Sequence, residues 1–195
     1  DNLIVRVKDS AGNIGWGEAS SAPTMTGETA EGLVAATKFM AGRLKNKEIV
    51  SHNDLHDLIE PLMYGNHSAK SAIDSALHDL VGKHLNKPIY ELLGGKKREK
   101  SPMFWMVAGS SDEMELVRDR AAEGYIAFKV KVGVNDPKVD LERAEKVRKI
   151  VGEKVRVSAD ANQGFSLENG LIFAKGAGSA GLDFFEQPVM GHDID

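Results

Sequence analysis

Two amines and two acids carry the chemistry that this chain can do. Lys129 and Lys131 stand two residues apart in the run Ala-Phe-Lys-Val-Lys-Val-Gly, residues 127–133. Asp160 follows 29 residues after Lys131, in Ser-Ala-Asp-Ala-Asn, and Glu186 comes 26 residues later still, in Phe-Phe-Glu-Gln-Pro. Side chains alternate across a strand, so Phe128, Val130 and Val132 share one face and the two lysines the other. Each gap is about the length of one helix and one strand in a parallel β/α repeat. The amines and acids would then meet at the ends of neighbouring strands, an arrangement able to take a proton from the carbon beside a carboxylate.

Each of these residues also has a plainer reading. Alternating lysines are usual on the solvent-facing side of an antiparallel strand. In a parallel barrel both strand faces are covered, and two ammonium groups there are costly unless paired or used. With the apolar face turned to the helices, Lys129 and Lys131 point inward near the C-terminal mouth. Asp160 and Glu186 taken singly could be strand-end carboxylates or helix caps. Together they suit a hard cation, Mg²⁺ with Mn²⁺ as the substitute, that prefers oxygen ligands. Asn162 either supports this site or makes a local Asx turn. The six histidines form no ligand cluster, and Trp16 and Trp105 read as core aromatics.

The elements that must position these groups are legible in order. Asn2 to Lys8 and Ile14 to Ala19 read as a hairpin joined by Asp-Ser-Ala-Gly-Asn, with a loop over 20–27. Helices follow: one with Leu33, Ala36, Met40 and Leu44 on one face, another over about 53–60. A third carries Ala69, Ile73, Ala76, Leu77 and Leu80, and a short one over 89–93 stops at Gly94-Gly95. From Ser101 the pattern becomes strict strand–helix alternation, with strands at 103–109, 127–133, 155–160 and 182–186. Asp112 with Glu115 marks one helix start, Asp136-Pro137 another and Ser166 a third. No G-x-G-x-x-G follows the first of these strands, which disfavours a nucleotide-binding sheet. The expectation is α/β: a partial α+β domain over 1–100, then about four units of a partial (β/α)₈ TIM-type barrel over 101–195. A full barrel takes roughly 250 residues and eight strands, so the chain reads as cut at both ends.

Composition narrows the function classes. The chain has 195 residues, 42% hydrophobic and 28% charged, with a net charge of −4. That balance, with no clear basic cluster, argues against a nucleic-acid partner. No stretch reaches the ~18 apolar residues of a membrane helix. The absence of cysteine excludes disulfides and thiolate chemistry, and fits a cytoplasmic location.

The chain resembles the enolase superfamily, specifically its mandelate racemase/muconate lactonizing enzyme group. Five segments carry the resemblance: Gly-Trp-Gly-Glu-Ala-Ser at 15–20, the long run over 71–95, and Lys-Val-Lys, Asp-Ala-Asn and Glu-Gln-Pro at 129–131, 160–162 and 186–188. The last three match the KxK, DxN and ExP signatures, and the Gln187 form with paired lysines is closer to the muconate lactonizing subgroup. The resemblance implies an isomerase (cycloisomerase, racemase or epimerase) that forms an enediolate from a small-molecule carboxylate. A dehydratase of the same superfamily and an inactive fragment are the alternatives. Lys131 would be the base on one face of the substrate and Lys129 the contact to its carboxylate. Asp160 and Glu186 would be two of three Mg²⁺ ligands. The third acid is expected about 26 residues beyond Glu186, and the opposite-face acid/base further on. The 20–27 loop, with Thr24 and Met25, would close over the site. The complete protein is expected to be a homo-oligomer.

Overall fold

The computed structural model describes residues 1–49 and 51–191. Residues 192–195, the end of the expected barrel segment, lie outside the described residues. The chain divides into two compact units, Asp1–Glu99 and Lys100–Asp195.

In the first unit, β1 (Asn2–Lys8) and β2 (Ile14–Ser20) form an antiparallel pair in the register Asn2 to Ser20 through Lys8 to Ile14. The turn between them is closed by Asp9, whose carboxylate accepts the Asn13 backbone N–H and side-chain amide, both at 2.8 Å. Helices α1 (Ala30–Leu44) and α3 (His67–His84) carry the apolar stripes read above. Leu33, Met40, Ala69 and Ala76 are fully buried there. The helix expected over 53–60 is instead a 3₁₀ turn (His52–Asp54), a short α2 (Leu55–Ile59) and a second 3₁₀ turn (Glu60–Leu62). Pro61, with no N–H to continue the helical ladder, accounts for the end of α2.

The glycines of the 15–20 motif have a physical reason. A Cβ on Gly15 would stand 2.0 Å from the Ala76 carbonyl oxygen, and one on Gly17 would stand 1.9 Å from that of Ala72. Strand β2 therefore lies directly on α3, which only a residue without Cβ permits. The Trp16 N–H adds a hydrogen bond to Asp79 on that helix at 2.8 Å. Glu28 secures the start of α3: its carboxylate accepts the Ser68 N–H at 3.2 Å on each oxygen. The short α4 (Ile89–Leu92) ends this unit's regular structure.

The second unit is a four-stranded parallel sheet in the order β3 (Trp105–Val107), β4 (Ala127–Lys131), β5 (Arg156–Asp160), β6 (Phe184–Glu186). Helices α5 (Glu113–Ala122), α6 (Pro137–Val151) and α7 (Leu167–Ala177) connect the strands. Strand order equal to chain order, with a helix in every crossover, is the pattern of a (β/α)₈ barrel, here with four of the eight strands. Asp136 caps α6 through the Lys138 N–H at 2.9 Å, and Ser166 caps α7 through the Asn169 N–H at 3.2 Å. Asp112 precedes α5 but makes no side-chain cap; Glu113 accepts the Gly109 N–H instead, at 2.9 Å.

The β4 alternation resolves as the residue types require. Phe128, Val130 and Val132 are 1%, 0% and 6% exposed, packed with Val107, Val117, Val147, Val157 and Phe173. The opposite face carries the lysines. Burial of three large apolar groups on one side fixes which way the other side points.

Candidate active site

The strand register builds the site as a row. Lys131 is level with Asp160, and Asp160 with Glu186, at the C-terminal ends of three adjacent strands. Lys129 lies one layer deeper, level with Met106 and Ser158. Its side chain reaches up into the row, where Nζ stands 3.0 Å from Asp160 Oδ2 and 2.7 Å from Glu186 Oε2. Lys131 Nζ donates to the same Asp160 Oδ2 at 2.7 Å and to Asn162 Oδ1 at 2.5 Å. The second oxygen of Asp160 accepts the Asn162 N–H at 2.9 Å. Lys129, Lys131, Asp160, Glu186 and Asn162 are thus one hydrogen-bonded group.

Exposure is graded across this group. The Asp160 side chain is 2% exposed, against 19% for Lys129, 31% for Lys131 and 40% for Glu186. Burial alone pushes the Asp160 carboxyl up. Hydrogen bonds from Lys131, the Asn162 N–H and Lys129 outweigh it and hold the group below the ordinary aspartate range. Lys129 moves the other way: its bond to Glu186, aided by Asp160, raises it above an ordinary lysine despite some burial. It is a fixed ammonium. Phe104 adds an aromatic face, its ring centre 5.8 Å from Lys129 Nζ.

Thr24 and Met25 belong to the first unit, in the turn after β2. The Met25 N–H donates to the Ala22 carbonyl at 3.0 Å, and both side chains are exposed. Trp105 stacks edge-on with Tyr125 at 5.8 Å between ring centres, the core role expected of it, whereas Trp16, expected in the core too, is 50% exposed on the antiparallel pair.

Two features escaped the sequence reading. Asn162, Gln163 and Gln187 hold φ of 44°, 66° and 43°, the left-handed region that costs a bulky residue roughly 1–3 kcal/mol. The Gln163 N–H donates to the Gln187 carbonyl at 2.8 Å, so the strained turns after β5 and β6 brace each other. Asparagine could signal such a turn, but nothing in glutamine does. The other feature is a buried charge cluster on Arg143, Asp140 and Glu113. There Glu113, foremost, and Asp140 raise the guanidinium above the ordinary arginine value against the opposing effect of burial.

The donor set suits a hard divalent cation. Asp160 and Glu186 present anionic oxygens that converge within 3.0 Å of one positive group, the Lys129 ammonium. Two ammonium groups and two carboxylates sum to no net charge, so a bound cation would give the rim the positive field a carboxylate substrate needs. Among the described residues no third His, Cys, Asp or Glu joins the pair.

A parallel β/α sheet with its charged side chains gathered at the C-terminal strand ends is the catalytic layout of a (β/α)₈-barrel enzyme. The comparisons narrow this. Residues 2–94 match the mandelate racemase/muconate lactonizing enzyme N-terminal domain, and residues 112–195 the enolase C-terminal domain-like family. N-succinyl-L-Arg/Lys racemase of Bacillus cereus is 34% identical over 100% of this chain and 53% of its own. Its crystal structure superposes with a TM-score of 0.88. A chloromuconate cycloisomerase of Pseudomonas putida is 33% identical over 98% of this chain and 53% of its own. The L-Ala-D/L-Glu epimerase of Clostridium acetobutylicum is 30% identical over 100% and 55%. The chain belongs to the mandelate racemase/muconate lactonizing enzyme family of the enolase superfamily. It spans about half the length of the curated relatives it matches.

Proposed function

We propose that this chain forms part of the capping domain and the first half of the barrel of a metal-dependent isomerase. The complete enzyme takes and returns the proton α to a substrate carboxylate. The carrying observation is the shared contact of two lysines on Asp160, with a second acid, Glu186, joined to the same strand-end row through Lys129. The relatives' names, a racemase, an epimerase and a cycloisomerase, favour isomerisation over dehydration.

Asp160 and Glu186 would hold Mg²⁺ or Mn²⁺. When bound, the ion supplies positive charge against the substrate carboxylate, where negative charge grows as the α-proton leaves. Lys131 is the base on one face: its side chain is the more exposed of the two amines, and Asn162 Oδ1 holds it in place. Lys129 stays an ammonium and contacts the carboxylate as a fixed positive charge. Asp160, nearly buried, keeps its own charge beneath the amines. In the complete protein, Thr24 and Met25 are proposed to help cover the substrate.

The test is deuterium wash-in at the α-carbon, followed by NMR in D₂O with the full-length protein and Mg²⁺. The panel is N-succinyl amino acids, Ala-Glu and related dipeptides, and muconate. At least one of the first two classes should exchange, and exchange should stop with EDTA. Exchange with none of the panel, or exchange indifferent to EDTA, would overturn this reading.

A further inference from the structure

A buried ionic cluster lies behind the main chain of Lys131, and none of the steps above uses it. Asp140, on the first turn of α6, is fully buried. Its Oδ2 accepts the Gly133 N–H at 2.9 Å; its Oδ1 accepts the Asn135 side-chain amide at 3.0 Å and Arg143 Nη1 at 2.8 Å. Arg143 Nη1 also donates to the Lys131 carbonyl oxygen at 3.0 Å. Its Nε and Nη2 form a two-pronged pair with Glu113 on α5, each bond 2.9 Å. Glu113 in turn accepts the N–H of Gly109, just after β3.

One guanidinium thus joins two helices to the chain leaving two strands. Burying Asp140 and most of Arg143 and Glu113 is costly, and apolar side chains of similar volume often serve stability as well or better. What apolar groups could not do is hold both the Lys131 carbonyl and the Gly133 N–H, the polar groups on either side of Val132. Val132 itself donates to the Asp160 carbonyl at 3.1 Å. Gly133 turns sharply at φ 94°, where a Cβ would meet the Ala161 carbonyl oxygen at 3.0 Å. Every polar main-chain contact here converges on the point where the lysine leaves the strand.

We propose that Arg143, clamped by Glu113 and Asp140, is a positioning residue for Lys131, fixing the main chain at 131–133 and so the direction in which the amine enters the rim. A long side chain magnifies any tilt of its Cα–Cβ bond, and a displacement of ~1 Å at a reacting group costs on the order of 100-fold in rate. The catalytic consequence rests on Lys131 being the base, but the positional claim can be tested without substrate.

The experiment compares full-length wild type, Arg143→Gln, Arg143→Lys and Glu113→Gln by NMR, reading backbone amide exchange and the side-chain Nζ–H correlations of both lysines. In Arg143→Gln, exchange at Gly133 should rise by about tenfold or more, as local opening becomes easier. The Lys131 Nζ–H signal should weaken, while that of Lys129, held by two carboxylates, should persist. Arg143→Lys should fail in the same way, since it keeps the charge but loses the fork. Should Arg143→Gln not fold, Glu113→Gln should give the same pattern at smaller size. Faster exchange at Gly133 with an unchanged Lys131 signal would mean that the cluster only holds the fold. No change in either would show that it holds nothing at this strand end. Both outcomes overturn the proposal, and neither depends on whether Lys131 is the base.

Discussion

The two ends of the parallel sheet are built from the same kinds of charges and behave as opposites. At the N-terminal end, Arg148 on α6 is 8% exposed and spends its guanidinium on fixed oxygens. Nε donates to the Gly181 carbonyl at 2.8 Å, Nη1 to those of Gly152 and Val155 at 2.8 and 2.6 Å, and Nη2 to Asp183 at 2.8 Å. Asp183 also accepts the Val157 N–H at 2.7 Å. At the C-terminal end Arg143 makes a similar fork behind the strand, but the cations on the rim itself are lysines, compact charges on flexible stems, and the Glu186 side chain remains 40% exposed. A planar fork on main-chain oxygens locks helix to strand. Two ammonium groups share one buried carboxylate, and one of them also reaches the partly exposed Glu186. The first arrangement stabilises; the second leaves charge available to a ligand. This matches the division of labour between the faces of a barrel.

Substitutions at the two ends should therefore separate activity from stability. Asp160→Asn should have the largest effect, because it removes the negative charge shared by both ammonium groups and replaces one of the two anionic cation ligands with a neutral amide. Activity should fall by about 10³-fold or more, and Mn²⁺ binding followed by electron paramagnetic resonance should weaken sharply. Unchanged Mn²⁺ affinity would remove Asp160 from the metal site.

Arg148→Ala should do the reverse. Its loss leaves three carbonyls without this donor and Asp183 with the Val157 N–H alone, a destabilisation of about 3 kcal/mol in denaturant unfolding. The folded fraction should keep its activity. A fall in activity beyond the unfolded fraction would break the contrast between the ends.

A smaller effect is expected from pH. Asp160 is held below its unfolded pKa of ~3.9, so its stabilising contribution is present above that value and lost as pH falls through the folded one. Lys129 is held above its unfolded value of ~10.4, so its contribution is complete below that pH and lost as pH rises through the folded value. The urea midpoint should drop at both extremes, and in Asp160→Asn the acid limb should flatten. An acid limb identical to wild type would place the titrating carboxylates elsewhere; Asp9, Glu28, Glu60 and Asp79 in the first unit, all also held low, are the candidates.

How far these features could be read in advance followed their physical origin. The β4 lysines were legible because a period of two with one apolar face admits a single orientation in a parallel sheet. The spacing to Asp160 and Glu186 was legible because one helix and one strand consume a nearly constant length. Gly15 and Gly17 were recognisable only as part of a motif; their cause, the approach of β2 to α3, needs two segments far apart in sequence. Asp140 and Arg143, three residues apart on a helix, look like a surface ion pair until Glu113, 30 residues away, is brought beside them. The left-handed Gln163 and Gln187 left no trace in residue type.

The most direct measurement is α-proton exchange in D₂O with full-length Lys131→Ala, each enantiomer of a substrate being followed separately with Mg²⁺ present. Exchange should be lost for the enantiomer whose α-proton faces Lys131, by at least ~100-fold, and metal binding should survive. Undiminished exchange with both enantiomers would contradict the assignment of Lys131 as the base.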